Sequence, residues 1–254
     1  MGNISKNITS QIAEVTINTT FAALATAAGF PEIALLPIAK GLVLGLIENC
    51  YNDYAQRTLS IRETKKLNQV SKVALQTFHE LAEKDGVEAW KLNIDASYAE
   101  QAYEAADRFT MEAIRQSESA KVDILGRYYG QSFYKGNTDW QDMHQMITMV
   151  GSLTLRQIVM IRLISEGFKG LDSKLFITNP SACVEINRLK DYGIWQTTGA
   201  AFGINESVLP SLEDIIATNY VNQVSEALML EHLSEEDVLR TIDSLKLSEK
   251  GEPY

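Results

Sequence analysis

Histidine is scarce in this sequence, and none of its three copies lies in a pattern typical of catalysis or metal binding. The segment HELAE, His79–Glu83, begins like the H-E-x-x-H helix of zinc proteases, but Glu83 stands where the second histidine is required. A di-iron bundle needs Glu-x-x-His pairs, and QTFH has a glutamine in place of that glutamate. His144 and His232 have no partner at a catalytic spacing. The sequence therefore predicts neither a metal ion nor a cofactor.

The patterns of hydrolases and nucleotide-binding proteins are also missing. The segment GQSFYKG, Gly130–Gly136, fails the G-x-S-x-G spacing of a hydrolase elbow and lies in a helical context. Neither G-x-x-x-x-G-K-[ST] nor G-x-G-x-x-G occurs. Glu100, Glu104 and Asp107 share one helical stripe, which is more typical of a solvated helix side than of a cation site. We identify no catalytic residue and no small-molecule substrate, although an enzyme whose groups converge from distant positions would leave no motif.

A basic cluster is the clearest charged feature of the first half of the chain. It consists of Arg57, Arg62, Lys65, Lys66 and Lys72, with Glu63 as the one acidic residue among them. The last four are spaced to share much of one side of a helix. Such a patch is suited to docking the chain's own acidic C-terminal third, an acidic protein partner or an anionic membrane, and it is equally typical of plain surface charge.

The overall charge argues against nucleic acid as the main partner. The net charge is −10, and residues 171–254 alone hold six Lys and Arg against fourteen Asp and Glu. An acidic chain repels phosphates.

Cys50 and Cys183 match no metal or redox spacing and are predicted to be buried thiols in a reducing compartment. The first residues lack the layout of a secretory signal, and we expect a cytoplasmic protein.

The most apolar stretch of the chain is Gly29–Cys50. A membrane-spanning helix needs roughly 20 consecutive apolar residues. Glu32 and Lys40 interrupt this run, and each charge would cost a few kcal/mol in hydrocarbon. The pattern therefore predicts a buried helical hairpin at the centre of an N-terminal bundle. The alternative is a hairpin, Phe21–Ile47, that inserts into a membrane after a trigger.

Small residues within this stretch predict a close helix crossing. Gly41 and Gly45 form a small-xxx-small pair, flanked by Leu42 and Leu46 on the apolar face. The alanine-rich segment Phe21–Gly29 is the predicted partner.

Capping signals mark the helices of the remaining chain. SIRE (Ser60–Glu63) and TLRQ (Thr154–Gln157) are capping boxes, and Ser234 caps a helix near the end. No long alternation of Val, Ile and Thr appears before residue 175, so a sheet is not the organising element. We predict a mainly α fold with two domains, an N-terminal helical bundle over residues 1–136 and a C-terminal helical domain over residues 137–254.

The C-terminal part changes character. A helix is predicted in SACVEINRLKDYG, ending at Gly193, and IWQTT and EDIIAT are predicted strands on either side of a long glycine-bearing loop. This order of elements, over about residues 137–217, resembles a winged-helix module with at most a small β-hairpin. The resemblance implies DNA binding, with Ser181–Asp191 as the reading helix. That helix has zero net charge, however, and the proposed wing carries Glu206 and no lysine or arginine.

These observations favour a non-enzymatic interaction or regulatory protein that acts through helix faces, on a protein partner or by self-association. The two alternatives are a membrane-acting effector that releases the Phe21–Ile47 hairpin and a DNA-binding regulator that uses the winged-helix-like module.

Overall fold

The computed structural model describes residues 60–85, 96–135, 139–197 and 211–249. Within these ranges there are eight α-helices and two small two-stranded sheets, which confirms the predicted mainly α fold. The chain divides into two compact units, Met1–Thr148 and Met149–Tyr254. The predicted boundary between residues 136 and 137 falls outside the described residues and stays a prediction.

In chain order the elements are α1 (Ile61–Asp85), α2 (Ala96–Arg115), α3 (Ser119–Lys135), α4 (Trp140–Ser152), α5 (Leu155–Ser165), β1 (Phe176–Ile177), α6 (Pro180–Asp191), β2 (Trp195–Thr197), β3 (Ile215–Ala217), α7 (Asn219–Ala227), α8 (Glu235–Leu245) and β4 (Leu247–Ser248). Short 3-10 turns cover Leu212–Asp214 and Leu230–His232.

Helix α1 begins at the predicted capping box. The Glu63 N–H donates to Ser60 Oγ at 3.3 Å, and the Ser60 N–H donates to Glu63 Oε2 at 2.8 Å, so two otherwise unpaired helix donors are satisfied. Ser234 caps α8 in the same manner, with its Oγ accepting from the Asp237 N–H at 3.1 Å.

Two glycines let α3 lie unusually close to α1 in the N-terminal unit. A Cβ at Gly130 would lie 2.3 Å from the carbonyl oxygen of Ala74, and one at Gly126 would lie 2.8 Å from Val73 Cβ. These distances are below any ordinary carbon contact, so only glycine permits this approach. Phe109 fills the neighbouring core, with its ring centroid 4.7 Å from that of Tyr129. Backbone proximity and aromatic packing thus hold the helices together.

Helix α5 is the centre of the C-terminal unit. Seven of its eleven residues are buried, and they point to all sides of the helix. A helix that is apolar all round must be surrounded by other elements. The elements that contact α5 include α6, α7, α8 and β3. Helix α5 is therefore the central helix against which these elements of the C-terminal unit pack.

One of the two small sheets contacts this central helix through β3. Strands β2 and β3 are antiparallel, with Trp195 opposite Ala217 and Thr197 opposite Ile215. They lie where the sequence predicts two strands, after a helix that ends two residues before Gly193. The second sheet pairs β1 with β4. It was not predicted, because strands of two residues are too short to show an alternation. The winged-helix resemblance itself stays a prediction.

The apolar hairpin lies outside the described residues, together with Gly41, Leu42, Gly45 and Leu46, and so do Cys50 and Arg57. In the part of the chain that the structure describes, no single helix has the length and low charge that a bilayer crossing requires. Helices α4 and α5, bent by 118°, pass that test only as a pair, by length and composition alone.

Candidate functional site

The predicted basic patch divides into two kinds of residue. Arg62, Lys65 and Lys72 are exposed on α1. Lys66 instead faces the protein, where its Nζ donates to the Ile114 carbonyl oxygen at 2.5 Å, in the last turn of α2. Desolvation and the nearby Arg62 charge lower the pKa of Lys66. Lys66 therefore caps a helix end, and of these four residues only Arg62, Lys65 and Lys72 are exposed.

The histidines form no centre in the described residues. His144 is half-buried in α4, and His232 is exposed, with its Nε2 3.8 Å from Glu231 Oε1. Within those same residues, no group of three or more His, Cys, Asp or Glu side chains is placed to hold a metal ion. Cys183 is buried as predicted, and desolvation raises its pKa to about 11, so its thiol is a poor nucleophile.

A different surface emerges on α6. This helix starts at Asn179, whose Oδ1 accepts from the Ser181 and Ala182 N–H groups. Its inner face carries four buried residues, namely Ala182, Cys183, Ile186 and Leu189. The opposite face presents Val184, Arg188 and Asp191 to solvent, and Tyr192 follows directly. We call these four residues the α6 face.

An ion pair fixes α6 to α5. Arg156 Nε donates to Glu185 Oε2 at 2.6 Å, and its Nη2 donates to Glu185 Oε1 at 2.5 Å and to Ser181 Oγ at 2.9 Å. These bonds to Glu185 raise the pKa of Arg156. Because the fork is bidentate and partly buried, it sets both the position and the rotation of α6. The fork and the four buried residues of the inner face together orient the α6 face.

Beside the α6 face lies a half-open groove of about 350 Å³. It is formed where the end of α4, the start of α5 and the end of α6 meet. The lining residues are Ser152, Leu153, Gln157, Arg188, Asp191 and Tyr192. The groove thus combines an apolar side chain, one cation, one anion and several groups that form hydrogen bonds.

The capping box of α5 decides how Gln157 is oriented in this groove. The Thr154 N–H donates to Gln157 Oε1 at 2.9 Å, and the Gln157 N–H donates to Thr154 Oγ1 at 3.2 Å. Because an N–H group needs an acceptor, the amide oxygen must face Thr154 and the amide nitrogen must face away. No acceptor for Nε2 lies within hydrogen-bond distance among the described residues, although Gln157 is only 2% exposed.

On the other wall, Ser152 and Tyr192 join α4 to the end of α6. Ser152 Oγ donates to the Met149 carbonyl oxygen at 3.0 Å and lies 3.1 Å from the Tyr192 hydroxyl. The single Ser152 proton is used on Met149, so the Tyr192 hydroxyl is the donor of the second bond. This bond holds the Tyr192 ring at the rim of the groove.

No family model, no curated protein and no solved structure matches this chain.

Sequence reasoning identified one part of this groove and missed the rest. It predicted TLRQ as a capping box, which is confirmed, but it assigned Gln157 no role beyond the cap. Arg188 and Tyr192 lie on another helix, more than 30 residues further along the chain. No spacing rule connects residues so far apart, and their proximity is visible only once α5 and α6 are packed together.

Proposed function

We propose that this chain is a non-enzymatic interaction or regulatory protein that contacts a protein partner through the α6 face. The observation that carries the proposal is the combination of exposed apolar side chains and zero net charge on that face. Val184 is 59% exposed and Tyr192 is 40% exposed, and the charges of Arg188 and Asp191 cancel. Protein interfaces favour aromatic residues and arginine, with few uncompensated charges at their centre.

The setting of these residues distinguishes them from ordinary surface. Single exposed apolar residues are common on proteins and need no explanation. Here Val184 lies on α6 and Tyr192 directly after it, and Tyr192 also lines a groove. The Arg156–Glu185 fork and the Asn179 cap fix this helix. A rigid surface loses little conformational entropy when a partner binds, which favours affinity.

The experiment is photo-crosslinking in cells from a benzoylphenylalanine placed at position 184 of the full chain. A discrete crosslinked partner is expected, and its purified form should bind the wild-type chain. Val184→Asp should abolish that binding, whereas Leu239→Asp should not. Leu239 is a matched control, because it is 58% exposed on another helix of the same unit and gains the same charge.

Sedimentation velocity of the purified chain shows whether the partner is a second copy. A self-associating chain would give a concentration-dependent mass that falls with Val184→Asp. Equal binding of partner by the two aspartate variants, or diffuse crosslinks without a reproducible partner, would refute the α6 face as the interaction surface.

DNA binding has weaker support as a function. Helix α6 has zero net charge, and the Lys190 ammonium lies 5.6 Å from the centroid of the Trp195 ring, so this cation is engaged within the protein. Phosphate contacts require several available lysines or arginines. Absence of a gel shift at about 50 mM salt would exclude this alternative, since non-specific binding is strong under that condition.

A further inference from the structure

The groove presents hydrogen-bond donors that the chain itself does not use. The Gln157 amide nitrogen carries two hydrogens, and no acceptor for them lies among the described residues. The Gln157 side chain lines the half-open groove, and its nitrogen is not one of the fully buried atoms that lack a partner in the described residues, so a ligand acceptor would replace water there. The capping box fixes the direction of this donor before any ligand arrives.

Arg188 adds a charge to the same lining. Its guanidinium is exposed and forms no ion pair within the described part of the chain, although Asp191 lies only one helical turn away. A guanidinium offers a planar fork of donors that matches the two oxygens of a carboxylate. The groove also lies at the N-terminal end of α5, where the helix dipole favours negative charge.

We infer that this groove binds a carboxylate group, with Arg188 and the Gln157 amide nitrogen donating to its oxygens and Leu153 contacting its apolar remainder. The Tyr192 ring forms the rim on the other side. Phosphate fits less well, because Asp191 would repel a dianion more strongly than a singly charged carboxylate, while Arg188 supplies only one compensating charge. The inference is independent of the proposed function, because a free acid would satisfy it as well as a protein partner would.

Benzoate and benzamide are the probes that test this inference. They have the same shape, but only benzoate has the charge and the two acceptor oxygens. In an isotope-labelled full chain, benzoate should shift the side-chain NMR signals of Gln157 Nε2 and Arg188 Nε in a saturable manner. With about nine non-hydrogen atoms, an ordinary ligand of this size binds with a Kd on the order of 10 mM.

Two variants assign the contact to these side chains. Gln157→Glu keeps an acceptor for the Thr154 N–H, since glutamate is a standard third residue of a capping box, but it replaces the donor by an anion. Arg188→Gln removes the cation from an exposed position. Each should weaken benzoate binding by roughly tenfold or more, as expected for a lost charged hydrogen bond. Arg240→Gln, which removes an exposed arginine from α8, should leave the affinity unchanged.

A short peptide with a free C-terminus, and the same peptide amidated, separate the two sources of a carboxylate. Preference for the free peptide over both benzoate and the amide indicates a chain terminus of a partner, and preference for benzoate indicates a small free acid. Both results support the inference. Equal shifts with benzamide, tighter binding of inorganic phosphate, binding unaffected in both variants, or no saturable shift at about 100 mM would overturn it.

Discussion

The close crossing of α1 and α3 allows a quantitative test at Gly130. In Gly130→Ala the new methyl group would lie 2.3 Å from the Ala74 carbonyl oxygen, and an ordinary contact needs at least 3.4 Å. The two helices must therefore separate locally by roughly 1 Å, because the obstructing atom belongs to the backbone and cannot rotate away. Inserting such a group into a packed core costs about 1–3 kcal/mol, and this site should lie at the upper end.

The opposing effect is the better helix propensity of alanine, which contributes about 1 kcal/mol. We expect Gly130→Ala to lower the free energy of unfolding by about 2 kcal/mol net. Gly126→Ala should cost less, since its nearest obstructions, Val73 Cβ at 2.8 Å and the Val70 carbonyl oxygen at 2.9 Å, lie further away than the Ala74 oxygen does from Gly130. Removing the Ala74 methyl group in the double variant Ala74→Gly, Gly130→Ala should not restore stability, because the carbonyl oxygen remains.

Urea denaturation followed by circular dichroism measures these differences. Hydrogen exchange then assigns them to a region, since faster exchange is expected in peptides of α1 and α3 and unchanged exchange in α5, which belongs to the other unit. A Gly130→Ala variant as stable as the wild type, a larger cost for Gly126→Ala than for Gly130→Ala, or an equal loss of protection in α5 and α3 would contradict the predicted steric clash.

Three further predictions concern single residues. The Thr110 hydroxyl is buried in α2 without a hydrogen-bond partner in the described structure, so Thr110→Val should raise the free energy of unfolding by about 1 kcal/mol in urea titrations; a loss of stability would reveal a partner. Lys246 follows α8 with a φ of 48°, a left-handed conformation that glycine adopts without steric cost. Lys246→Gly should therefore stabilise by about 1 kcal/mol in thermal unfolding. Asp243→Gly, in the last turn of α8, should destabilise by about as much, because glycine is unfavourable inside a helix. Because the pKa of Cys183 is raised to about 11, alkylation at pH 8 followed by peptide mass spectrometry should find Cys183 unmodified in the folded chain and modified in guanidinium; rapid labelling of the folded protein would contradict its burial.

Local signals in the sequence predicted where helices start, but they did not predict contacts between residues that are far apart in the chain. The boxes at Ser60 and Thr154 placed the starts of α1 and α5 correctly, because capping depends on residues within one turn. The sequence predicts a close crossing at Gly41 and Gly45, whereas the close crossing in the described residues uses the same spacing at Gly126 and Gly130. Spacing shows that a close approach is possible, but it does not show which helix supplies the partner.

The groove illustrates the same limit at the candidate site. The amide oxygen of Gln157 was predictable as part of a cap. A role for the amide nitrogen as a donor to a ligand becomes visible only when Arg188 is seen in the same groove. That proximity depends on how α6 rotates about its axis, which the Arg156–Glu185 fork determines. The sequence shows both residues of the fork, 29 positions apart, without any sign that they meet.

Trp195 has a practical consequence for anyone who studies this chain in solution. Its indole is 3% exposed, and its Nε1 donates to the Ile186 carbonyl oxygen at 2.7 Å. The fluorescence of this tryptophan should therefore be blue-shifted while β2 remains attached to α6, and red-shifted once the two come apart. The chain has two other tryptophans, Trp90 and Trp140, so the variant Trp90→Phe, Trp140→Phe isolates the Trp195 signal. Trp195 is thus an intrinsic fluorescence probe of the C-terminal unit. Separation of β2 from α6 can be followed in real time without a label.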